Sequence, residues 1–125
     1  MTAKGTFEVD LRPQADGDSP AGRMLIDKTY SGDLAGSGKG QMISKGTECG
    51  TAVYYAIEEF SGALKGKAGA FTLIHKGHMS RDSQALDVEI LEGSGSGELE
   101  EISGSMTITQ DSAGHTYELL YELGS

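Results

Sequence analysis

An all-β fold, an eight-stranded antiparallel up-and-down barrel in a single domain spanning 1–125, is what this sequence predicts, on three observations. Apolar and polar residues alternate at period two along nearly the whole chain, with no stripe at helical spacing. Nineteen glycines, about twice the usual share of roughly 7%, gather in clusters that punctuate this alternation. Eight strands without helices have to form a sandwich or a barrel, and short turns between successive strands favour the barrel.

The strands are expected at 4–11, 22–32, 39–47, 52–64, 68–80, 84–92, 98–110 and 115–123. In the first, Phe7, Val9 and Leu11 alternate with Thr6, Glu8 and Asp10. Leu86, Val88 and Ile90 alternate with Asp87 and Glu89, and Met106 and Ile108 with Thr107 and Thr109. In the last, Tyr117, Leu119, Tyr121 and Leu123 alternate with Thr116, Glu118 and Glu122. Each reads as a half-buried strand with its apolar face inward. The turn clusters are Pro13 to Pro20, Gly36 to Gly40, Gly66 with Lys67, Gly93 to Gly97, and Asp111 to Gly114. A weak repeat links three of the boundaries: Ser31-Gly-Asp-Leu34, Ser61-Gly-Ala-Leu64 and Ser96-Gly-Glu-Leu99. Glycine within a strand marks a bulge or bend, which a closing sheet needs.

Charge narrows the function classes. Ten basic and nineteen acidic side chains give a net charge of −9, which repels phosphate backbones and anionic lipid. Neither nucleic acid nor a membrane surface is an expected partner. No apolar run approaches the roughly 18–20 residues that cross a bilayer. Cys49 has no second cysteine to pair with and Met1 is followed by polar residues, so a cytoplasmic location is expected.

The stretches Ala52-Val-Tyr-Tyr-Ala-Ile-Glu58 and Phe60-Ser-Gly-Ala-Leu64 resemble a family of small bacterial proteins known only as a domain of unknown function. The resemblance runs from Lys28 to Leu123 through Gly69-Ala-Phe-Thr-Leu-Ile-His75-Lys-Gly77, Ser94-Gly-Ser-Gly-Glu-Leu99, Ile102-Ser-Gly104 and His115-Thr-Tyr117. It implies a calycin-like fold similar to the allene oxide cyclase barrel. That wider group includes cyclases that fold a reactive polyene inside an apolar cavity. No cyclase catalytic motif is present to carry over, so the resemblance implies a fold and not a chemistry.

Polar residues that share a face with core residues are the candidates for function. Phe71, Leu73, His75, Gly77 and Met79 fall on one face of the fifth strand, and Phe71 and Leu73 draw His75 inward. A two-residue turn at Lys65-Gly66 pairs residues whose numbers sum to 131, and one at Gly66-Lys67 gives 133. Either odd sum sets Tyr54, Glu58 and Phe60 beside Phe71, Leu73 and His75. Glu58 and His75 are then direct or diagonal cross-strand neighbours. Two readings follow: an acid/base pair in which Glu58 orients His75, or a satisfied polar pair that fixes strand register. Tyr54, Tyr117 and Tyr121 are expected to point their phenols into the same cavity, with Phe71 and Met79 as apolar lining.

Other motifs are discounted. His75 and His78 stand three apart in a strand and so point to opposite faces, which cannot serve one metal ion. Gly36-Ser-Gly-Lys-Gly40 lacks the phosphate-loop pattern, and Cys49 lacks an activating base in sequence. No metal and no cofactor are expected. The leading expectation is a barrel that binds a small, largely apolar molecule. The alternatives are a cyclase or isomerase using the same cavity, and a barrel filled by its own side chains. Outward, Val53, Tyr55 and Ile57 lie beside Ile74, an apolar group on an acidic exterior, so a homodimer through Tyr55, Ile57 and Ile74 is expected.

Overall fold

The computed structural model describes residues 1–14, 20–111 and 114–124. Nine strands appear in chain order: β1 Thr2–Gln14, β2 Gly22–Gly32, β3 Leu34–Gly46, β4 Ala52–Leu64, β5 Lys67–Met79, β6 Gln84–Ile90, β7 Ser96–Gly97, β8 Ser103–Asp111 and β9 Gly114–Glu122. All pair antiparallel, each long strand with the next, and β1 closes onto β9. The result is the expected closed eight-stranded barrel. The two-residue β7 is an addition that pairs with Gly69 and Ala70 of β5 beyond the end of β6.

Three boundaries differ from expectation, the first being that of β1, which continues to Gln14 through Pro13 of an expected turn. Gly36–Gly40 is not a turn: β3 begins at Leu34 and pairs along its whole length with β4. Residues 98–101 form a turn, and β8 starts only at Ser103. The interiors of two expected turns, 15–19 and 112–113, lie outside the described residues.

Antiparallel winding gives the barrel two unlike ends. At one end the Ser-Gly-x-Leu repeat has a physical role, since Leu34, Leu64 and Leu99 are each at most 1% exposed. The glycine two residues before each of them has a positive φ, 104° at Gly32, 157° at Gly62 and 63° at Gly97, a conformation that other residues rarely adopt. Ala3, Ile102, Leu119 and Tyr121 complete this closed end. Above it Phe60 stacks on Phe71 at 5.0 Å, and Tyr30 meets both Phe60 and Tyr117 edge-on. The lower barrel is therefore a packed core. At the other end, inward-facing Val9, Met24, Met42, Tyr54 and Leu86 are only half-buried.

Candidate functional site

The site begins with what β3 lacks. Gly36, Gly38 and Gly40 occupy successive inward positions, so the inner surface of this strand is bare backbone. Side chains from the strands on either side, β2 and β4, meet across the gap. Lys28 Nζ lies 2.9 Å from Glu58 Oε1, and the Tyr30 hydroxyl donates to Glu58 Oε2 at 2.5 Å. From β5, His75 Nε2 sits 2.8 Å from Glu58 Oε1. A Cβ on Gly38 would fall 2.1 Å from Glu58 Oε2, so only glycine at this position leaves room for the carboxylate.

Lys28, Glu58 and His75 are all buried, Glu58 completely. Burial alone raises a carboxyl pKa, yet here the His75 hydrogen bond, the Lys28 charge and the Tyr30 hydroxyl outweigh it and hold Glu58 at about 2. The carboxylate is thus a fixed anion at neutral pH. Burial and the neighbouring Glu58 charge push the Tyr30 phenol well above its usual range, which keeps it a donor. Because Nε2 faces an ionised carboxylate it carries a proton, so in the neutral imidazole Nδ1 is the acceptor. Lys28 lies 4.7 Å from the centre of the Phe7 ring, which contributes a further cation–π attraction. No buried side-chain nitrogen or oxygen among the described residues lacks a hydrogen-bond partner.

The residues singled out from sequence separate by height. Glu58 and His75 meet as anticipated, in the 131 register, with Glu58 opposite Leu73 and His75 diagonal to it. Tyr54 stands at the half-open end with its ring over Gly77, the residue directly across the ladder, and burial raises its pKa. Met79 does not line the interior: it is 41% exposed, at the rim where β5 leaves the barrel. Phe71 belongs to the packed core. Tyr117 and Tyr121 lie toward the closed end, because β9 runs away from the end where Tyr54 stands. The Tyr117 hydroxyl is engaged there, accepting from the Leu34 amide at 2.7 Å and donating to the Ser31 carbonyl at 3.0 Å. The three phenols therefore do not share one cavity. Exposed Cys49 lies beside the hydroxyls of Thr47 and Thr51, and hydrogen bonds from these side chains and from the backbone lower its thiol pKa.

Sequence reasoning missed Lys28 and Tyr30. Their signal was available: both alternate with Ile26 on one face of Ile26-Asp-Lys-Thr-Tyr30, so a lysine falls on a core-facing position. The alternating glycines of β3 were a second signal, since they leave room for side chains two strands apart to touch.

A family model described as "Protein of unknown function (DUF3224)" matches residues 3–121. Among solved structures, the chain is similar to a protein of unknown function of the DUF3224 family from Shewanella oneidensis MR-1, at 34% identity and a TM-score of 0.93. That match covers 100% of this chain and 98% of the other. No curated protein matches the chain. With nearly its whole length matched in sequence and in fold, the chain belongs to the DUF3224 family.

Proposed function

We propose that this barrel binds a small molecule with an apolar body and one polar head, admitted through the half-open end. The observation that carries this reading is a ring of inward-facing apolar side chains that the protein leaves half-exposed above a buried ionic floor. Val9, Met24, Met42 and Leu86 form the ring, with Tyr54 as the phenol among them. The floor is Lys28, Glu58 and His75. Apolar walls with a few converging polar groups are the usual anatomy of a ligand site, and barrel mouths are a usual place for one. Ionised groups taken out of water cost several kcal/mol each, which supports a role for them beyond packing. Titration with the neutral fluorophore N-phenylnaphthylamine tests the reading. Saturable one-to-one binding is expected, weakened at least tenfold by Met42→Glu or Leu86→Glu. Absence of binding, or binding that survives both substitutions, contradicts it.

The Glu58–His75 contact favours a second reading at the same mouth, a proton-transferring isomerase or cyclase. A carboxylate that orients an imidazole is the arrangement such chemistry uses. Turnover of an unsaturated carbonyl compound that disappears in His75→Ala supports it, and equal turnover in both proteins removes His75 from any mechanism.

A further inference from the structure

The outer surface of the barrel is divided electrostatically. On β1, β6, β8 and β9 the described outward-facing charges are Glu8, Asp10, Asp87, Glu89, Glu118 and Glu122 against Lys4 and Arg12. Glu92, Glu100 and Glu101 add further acidic groups beyond the strands, and Glu98 sits beside the start of β5, where it accepts from the Ala68 amide. On β2 to β5 the balance reverses: Arg23, Lys39, Lys45 and Lys76 face outward against Asp27 and Glu59, and Asp27 is already held by Arg12. A chain of net charge −9 thus has one side that is not acidic.

The same side carries the apolar group. Ile57 is 61% exposed, Tyr55 51% and Ile43 47%. Ile43 is the cross-strand partner of Tyr55, and Ile57 that of Ile74, so the four are contiguous over β3, β4 and β5. Beside them runs a groove of about 790 Å³ walled by Leu25, Gln41, Ile43, Tyr55, Ile57 and Ile74, which also reaches Gly40, Ala56 and His75 of the inward faces. Protruding side chains and the groove that can receive them are therefore on one patch. Lys39 and Glu59, directly opposed across β3 and β4, offer both signs of charge at its margin.

We infer that this face, centred on Tyr55 and Ile57, is where two copies of the chain pair about a two-fold axis. A two-fold contact needs a patch complementary to itself, with knobs and hollow, plus and minus, on the same surface. It also needs the place where two acidic molecules repel least, and this face is that place. Rim charges on the acidic side lie outside the contact, so added salt screens their repulsion.

Light scattering on the eluting protein at roughly 100 μM, with sedimentation at low and high salt, tests the inference. The expected mass is twice the chain's 13.1 kDa. Ile57→Lys and Tyr55→Lys should each halve it, and the native pair should tighten as salt rises. Both side chains face solvent, so the variants retain the fold, which circular dichroism checks. N-phenylnaphthylamine binding should be unchanged in them, which separates this contact from the barrel mouth. A mass of 13.1 kDa in the native chain, or a pair indifferent to Ile57→Lys, overturns the inference. So does growth beyond two copies that weakens with salt, the mark of this face docking on the acidic side of the next copy.

Discussion

A carboxylate with no exposed surface, in the middle of a barrel, is destabilising unless its lone pairs are matched by donors, and Glu58 has three. Removing it alone leaves the Lys28 ammonium buried without a partner. Glu58→Ala should therefore cost about 3–5 kcal/mol in urea denaturation. The double change Lys28→Met with Glu58→Leu should recover most of that loss, because it removes both charges together. The same residue sets an acid limit. Its folded-state pKa of about 2 lies below the ordinary value of 4.5, so the unfolded chain binds the proton first. The stability that follows, about 3 kcal/mol, is present above pH 4.5 and is lost as pH falls toward 2. Denaturation midpoints measured from pH 6 to 2 should show this decline in the native chain and a flatter one in Glu58→Gln. At this scale the sequence was half legible. Glu58 and His75 could be paired from a turn and the period of two, whereas Lys28 and Tyr30 reach Glu58 from a strand that is not its neighbour.

That reach depends on β3, and here the element explains the residue. Glycines at 36, 38 and 40 read as a turn because glycine is usual in turns. In the barrel they continue the strand and keep its inner face empty for Tyr30, Lys28 and Glu58. Gly38→Ala should accordingly displace the carboxylate, cost about 1–3 kcal/mol and shift the acid limit upward. Gly22→Ala, where a Cβ would come no closer than 3.5 Å to Ser44, should be neutral or slightly stabilising by comparison. Thermal unfolding of the two variants side by side checks this. The hairpin between β4 and β5 was legible for a different reason. Lys65 and Gly66 both take positive φ, 49° and 86°, as a two-residue type I′ turn requires, and that turn fixes the sum at 131. The same register sets Ile57 opposite Ile74 on the outside.

For the whole molecule, closure into a barrel followed from strand count and turn length, and the 0.93 TM-score to a family member agrees with it along the full chain. Height along the barrel axis did not follow. Alternation assigns a side chain to a face, and only the direction of its strand decides which end it occupies. Tyr54 and Tyr121 share a face and stand toward opposite ends. Leucine lines both ends, and what separates them is cover: Leu34, Leu64 and Leu99 seal one, while the ring at the other stays half-open. The chain's own methionines report on that difference. Met24 and Met42 stand in the half-open ring, Met106 is buried in the core, and Met1 bonds Tyr121 at the closed end. With methionine methyl groups labelled by carbon-13, titration with N-phenylnaphthylamine should move the NMR signals of Met24 and Met42 through the ring current of the bound probe. The signals of Met106 and Met1 should stay in place. Saturating shifts at Met24 and Met42 alone are the predicted result; no shift at either, or the largest shift at Met1, would contradict a ligand site in the mouth of this barrel.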